Sequence, residues 1–278
     1  MRFLALALWD AYAKFNRDDG WAIASHIALS ALLSLFPFLI FVAAVAGFFG
    51  TPEAASRAAA FLFEMWPKQL AAPLAAEIHN VLLEPRGGLL TLGAVLALYF
   101  SGSAVEALRI GLARAYDVRE TRPWWALRIE ALLYVLLAAV SLLLITVLLI
   151  LAPPLFAYLK SEAPRLADEF ELIYQTARFG ASFVAMAASL LVAHKFLAPG
   201  KRSLLDIAPG VATTLLGWFG YGAAFGAYLS RFANNYVSTY AGLASIMIAL
   251  VFLYWLGALM IFGAELNQAL LRARERRS

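Results

Sequence analysis

The chain has 278 residues, 63% of them hydrophobic and only 14% charged, with a formal net charge of +4 and no cysteine. Soluble domains carry about 25% charged residues and roughly 45–50% apolar ones, so a soluble fold of this length could not bury the apolar surface; the composition is that of an integral membrane protein. Disulfides and thiolate metal sites are excluded, and His26, His79 and His194 lie far apart, outside any HExxH-type spacing, so neither a metal nor a cofactor is expected.

The first segment, MRFLALALWDAYAK, has a basic start, a short apolar run and Ala11-Tyr12-Ala13, the parts of a cleavable leader. Asp10 interrupts that run, and an amphipathic cytoplasmic helix leading into the first span is the expected reading. A bilayer core requires about 20 apolar residues per helix. Stretches of that character predict six spans, at about 22–49, 87–107, 128–152, 174–197, 207–230 and 239–264. The expected fold is all-α: a polytopic membrane helical bundle of six transmembrane helices plus short amphipathic helices, forming one integral membrane domain over 1–278.

Lysine and arginine set the direction of such a bundle. With the N-terminus inside, 15 of the 22 basic residues fall in cytoplasmic parts and 7 in outer parts. Both termini are therefore expected in the cytoplasm, and topology accounts for the positive charge without nucleic acid. Between the first two spans, Thr51-Pro52-Glu53 reads as a helix start, and two short amphipathic helices are expected within 51–86, on the outer membrane face. The second outer segment, 153–175, reads as a solvated charged face. Trp124 and Trp125 sit where the third span meets the interface. Ser203-Leu-Leu-Asp206 matches a capping box at the start of the fifth.

Three groups of residues stand out within the spans. His26, Ser30 and Ser34 recur every fourth position ahead of Pro37, which places them on one helical face. They either bond neighbouring helices or, with Ser101 and Ser103, line a crevice that binds a polar head group. Gly217, Gly222 and Gly226 form a small-residue face of the GxxxG kind, suited to packing inside the bundle or to a homodimer. Glu265 and Asn267 follow a long charge-free run, where a carboxylate needs a basic partner. Arg109 or Arg128 is the expected one, with Glu106 and Arg109 a local pair; together they make a structural ion pair or a gate.

Four stretches then carry a family resemblance: DDGWAIASHIALSALLSLFPFLI (18–40), LYFSGSAVEALRIGLARAYDVRE (98–120), FLAPGKRSLLDIAPG (196–210) and YAGLASIMIALVFLYWLGALMIFGAELNQ (240–268). In combination they resemble the YihY/BrkB family of bacterial inner-membrane proteins, with Tyr240-Ala241-Gly242 departing from a Tyr-Gly pair. The resemblance implies six spans in the inner membrane. Some members are linked to serum resistance and others to transport of lipid-like envelope molecules. An old ribonuclease BN label is regarded as a misassignment, and no catalytic residues carry over. Asp117, Glu120 and Asp206 lack the clustering that phosphodiester hydrolysis needs, so ribonuclease activity is not expected.

The favoured expectation is a transporter or flippase for a lipid-like amphiphile of the cell envelope. A non-catalytic scaffold in envelope assembly and a small-solute or ion path are the alternatives. The expected partners are membrane lipids, a second copy of the chain and envelope-assembly proteins, without nucleic acid. No GxxxxGK[ST] motif is present, so work done by the chain draws on a gradient, a partner or a downhill step.

Overall fold

The computed structural model describes residues 2–49, 89–162, 186–240 and 244–275, with positions 171, 176, 180, 183 and 184. The helices expected within 51–86 and most of the first half of the fourth span fall outside the described residues. Helices among those described include α1 (Arg2–Arg17), α2 (Gly20–Phe49), α3 (Leu89–Ala115), α4 (Trp124–Glu162), α5 (Leu204–Tyr240) and α6 (Ala244–Glu275). A π-helical turn, Ala193–Leu197, closes the apolar helix Met186–Leu197. The described residues contain no strand, so the chain is all-α. Among the described residues, two stretches are long and apolar enough to cross a membrane, Val95–Ala115 and Ile246–Glu275, and Gly20–Leu35 and Met186–Leu197 are shorter apolar helices.

The helix ends follow local chemistry. Asp19 adopts φ 56° between α1 and α2, and its carbonyl starts the next helix by accepting from Ile23 N–H at 3.0 Å. Asp117, at φ 54°, ends α3: Val118 N–H reaches back to Ala113 O at 2.9 Å and Asp117 N–H to Arg114 O at 3.1 Å. This is a Schellman closure with aspartate in the left-handed position more often held by glycine. At the start of α5, the Ser203 and Asp206 side chains each accept the other's backbone N–H, at 3.2 and 3.0 Å. The expected capping box is therefore formed, and Ser203 holds the Asp206 carboxyl below its usual range.

The residues gather into two compact units: 1–35, 101–131 and 189–278 in the first, 36–100 and 132–188 in the second. In the first, Ala7 and Ala11 of α1 recur at the four-residue spacing of one helical face and pack into a buried cluster with Leu266, Ala269 and Leu270 of α6. Phe15 continues that face and meets Phe262 edge-on, with ring centroids 6.4 Å apart. Along α5 and α6 runs a seam of side chain to backbone bonds. Thr214 Oγ1 donates to Leu259 O at 3.3 Å, Trp218 Nε1 to Leu256 O at 3.0 Å and Tyr221 Oη to Val251 O at 3.3 Å. Ascending positions on α5 meet descending ones on α6, so the two helices form an antiparallel hairpin.

Close approach at the end of this seam depends on Gly210 and Gly263. A Cβ built on Gly210 would collide with Gly263 O, and one on Gly263 with Thr214 Oγ1 and Gly210 O. The glycines of the expected GxxxG face behave differently. A Cβ on Gly217 would press on the flexible tip of Leu259 at 2.9 Å, while around Gly222 and Gly226 no described atom lies within 4 Å. The tightest backbone approach along the seam thus uses one glycine on each helix, with Gly217 of the expected face also against α6. In the second unit, Lys160 pairs with Glu171 at 3.5 Å, and Tyr99 meets Phe100 edge-on at 5.6 Å.

Candidate functional site

Buried polar groups concentrate in the first unit, where α1, the end of α3, the π-helical turn, α5 and α6 converge. Lys14 lies on the otherwise apolar face of α1 and is 4% exposed. Its Nζ stands 2.5 Å from Asp18 Oδ2, 2.8 Å from Glu265 Oε2 and 3.8 Å from Asp117 Oδ1. It also donates to Ala115 O at 3.1 Å. Asp117 is paired in addition with Arg272 of α6. One ammonium thereby ties α1 to α3 and α6, and such a buried pair is costly to break by removing one partner.

Beside it runs a chain of hydrogen bonds whose direction can be worked out. Gly210 N–H donates to Asn267 Oδ1 at 2.6 Å, which fixes the amide orientation. Asn267 Nδ2 then donates to Tyr116 Oη at 3.0 Å. Tyr116, accepting there, gives its own proton to His194 Nδ1 at 2.8 Å. The remaining imidazole proton therefore sits on Nε2, which has no hydrogen-bond partner among the described residues. Asn267 and His194 are fully buried, and burial pushes the Tyr116 hydroxyl up to about 12, keeping it a donor.

Arg202 closes the assembly, with its guanidinium 4.1 Å from the centre of the Tyr116 ring. It donates to three carbonyls, His194 O at 3.2 Å, Pro199 O at 3.2 Å and Ala198 O at 2.6 Å. His194 O is one of the acceptors left over where the helix ends, and Ala198 O and Pro199 O belong to the loop that follows. Gly200 turns this loop at φ 114°, a backbone region that suits glycine.

A second network joins α3 to α4. Arg122 binds Glu120 at 2.7 Å and Glu130 at 2.6 Å, Arg109 reaches Glu120 at 3.2 Å, and Arg128 pairs with Glu106 at 2.6 Å. The expected pairings are corrected by this geometry: the partner of Glu265 is Lys14, Arg109 serves Glu120, and Glu106 belongs to Arg128. The reason is reach: Arg109 meets Glu120 just past the end of its own helix, and Arg128 of α4 meets Glu106 of α3. Hydrogen bonds from Arg122 hold the Glu120 carboxyl at about 2, against the usual 4.5. The folded value is depressed, so the stabilisation from Glu120 is complete above about 4.5 and is lost as pH falls toward 2. Glu120→Gln is expected to flatten the acid limb of the stability profile in that window, read by thermal unfolding at stepped pH.

The polar stripe of α2 divides by position. His26 is exposed, Ser30 is half-buried and Ser34 is buried. Ser34 Oγ accepts the backbone N–H of Ala104 on α3 at 3.1 Å. Ser101 is buried and Ser103 half-buried on the same helix. Sequence reasoning missed Lys14, Tyr116, Arg202, Gly210 and Gly263. Only Lys14 left a signal, as a charge beside Ala7, Ala11 and Phe15 on the apolar face of α1.

With the geometry in view, comparison with known proteins gives the lineage. The profile described as Virulence factor BrkB matches residues 11–278. The chain belongs to the BrkB family. Like this BrkB chain in sequence is the ribonuclease-like protein YfkH of Bacillus subtilis (strain 168), 28% identical over 270 residues, which are 97% of this chain and 96% of YfkH. No solved structure matches this BrkB protein.

Proposed function

We propose that the chain is a six-span protein of the bacterial inner membrane, with both termini cytoplasmic, that moves a lipid-like amphiphile of the cell envelope across or within the bilayer. The exposed face of α2 carries this reading. Ser25 and His26 stand at one end of that face, and Leu29 and Leu33 follow at successive turns, Leu33 being 66% exposed. A polar group followed by an apolar track matches a molecule with a head and a tail. Asp117 is engaged by Arg272, Glu120 by Arg122, and Asp206 by Ser203. Acids engaged in this way support a non-enzymatic role over phosphodiester hydrolysis.

One observation favours a second reading, a scaffold in envelope assembly. The bond from Ala104 N–H to Ser34 Oγ uses the deepest member of the stripe to join two helices. Mass spectrometry of lipids copurified with the parent and with a His26→Ala/Ser30→Leu/Ser34→Leu variant separates the two. The transport reading expects a specific lipid class held by the parent and lost from the variant. The same bulk lipid in both would favour the scaffold.

A further inference from the structure

We propose that Glu265 is a proton-binding site, supplied from solvent through Asp18 and Asp117. Its surroundings hold more carboxylate than nearby ammonium. Around Lys14 Nζ stand three carboxylates, Asp18 at 2.5 Å, Glu265 at 2.8 Å and Asp117 at 3.8 Å. The cations paired with these carboxylates are Lys14 itself and Arg272, the latter engaged by Asp117, while Arg17 faces Glu265 from the exposed side of α1 and is screened by water. With all three acids ionised, this group carries one negative charge too many.

The excess falls on Glu265 because the other two acids have water. Asp18 and Asp117 side chains are 20% and 47% exposed, and Glu265 is 1% exposed. Beyond Lys14, Glu265 Oε2 has no hydrogen-bond partner among the described residues. The three hydrogens of Lys14 have other close acceptors in Asp18 Oδ2 and Ala115 O. A buried carboxylate with part of one cation holds a proton more readily than a solvated one.

The groups facing it from each packed element are few. From α1 come Lys14, Asp18 and Arg17, the last exposed and so screened. From the end of α3 come Asp117 and Tyr116, with His194 and Arg202 beyond the tyrosine. From α6 itself comes Arg272. Lys14 touches both exposed acids, so a proton reaches Glu265 from solvent through one relay. Once Glu265 is neutral, Lys14 is left to Asp18 and Asp117, and the tie between α1 and α6 loosens. Resting on the transport reading above, this proton is the ion whose binding drives the movement of the amphiphile.

The test is infrared difference spectroscopy on the full chain in lipid nanodiscs, stepping pH between about 5 and 9, a range above the ordinary titration of glutamate near 4.3. The expected result is the carbonyl band of a protonated carboxylic acid that disappears as pH rises. It is expected to shift when the parent carries ¹³C-glutamate and to stay in place with ¹³C-aspartate, a readout that needs no variant. Glu265→Gln should lose the whole band, whereas Asp18→Asn and Asp117→Asn, each removing one of the excess carboxylates beside Lys14, should move its disappearance to lower pH. No band in the parent, a band that follows aspartate, or one that survives in Glu265→Gln overturns the site. Coupling is read separately, as lipid movement in vesicles under an imposed pH gradient. Movement indifferent to the gradient overturns the coupling, and no movement at all overturns the transport reading, with the infrared band standing in either case.

Discussion

Gly210→Ala and Gly263→Ala each lower stability by on the order of 3 kcal/mol, while Gly222→Ala and Gly226→Ala shift it by no more than about 1 kcal/mol. The contrast follows from what a methyl group would meet. At Gly210 and Gly263 it meets backbone carbonyl oxygen of the opposite helix, which cannot step aside as a side chain can. The hairpin must open, and opening stretches the bonds from Gly210 to Asn267 and from Thr214 to Leu259. At Gly222 and Gly226 the methyl meets no described atom within 4 Å, and alanine is the better helix former by about 1 kcal/mol. A denaturing-detergent titration followed by tryptophan fluorescence reads all four variants. Equal losses at the two pairs would show that the seam is misplaced.

Asn267→Leu is expected to cost about 3 kcal/mol in the same titration. Leucine is close in size, so the loss is chiefly polar: Gly210 N–H and the Tyr116 hydroxyl lose a partner inside a buried site, at about 1–3 kcal/mol for each unsatisfied group. Asn267→Asp gives a different outcome. Aspartate can still accept from Gly210, but its second oxygen cannot donate to Tyr116. The tyrosine proton turns toward the new carboxylate, and His194 must donate from Nδ1 to the phenol oxygen. Both bonds of the Tyr116 hydroxyl reverse, and the ¹⁵N shifts of labelled His194 report the exchange of tautomers. An unchanged tautomer in Asn267→Asp would mean that Asn267 does not set the direction.

Local chemistry was legible in the residues. The all-α class, the capping box at Ser203 and Asp206, and the cost of burying Glu265 and Asn267 all follow from short patterns or from charge inside an apolar run. Partners were harder to read. Arg109 and Arg128 stood at a plausible depth for Glu265, yet both are engaged by acids near them along the chain, Glu120 and Glu106. Lys14 comes from the first helix, and only the crossing of α1 over α6 brings it in. The small-residue pattern of α5 likewise does not name its own partner. Spacing within one helix displays Gly222 and Gly226, while the close contact is made by one glycine from each of two helices. The chain through Asn267, Tyr116 and His194 joins positions 151 and 78 residues apart, and no motif encodes such distances.

The π-helical turn at Ala193–Leu197 bears on which changes of length this chain can absorb. A turn closed by i to i+5 bonds holds about one residue more than an ordinary helical turn, so deleting one residue there would leave a regular helix with its backbone bonds intact. By the usual measure that is the mildest deletion available. Yet His194 lies inside the turn, so closing it to a regular helix would redirect His194 away from the Tyr116 hydroxyl while Arg202 kept its loop carbonyls. Length variation in related chains should therefore avoid this turn and gather elsewhere, however easily the helix itself would heal.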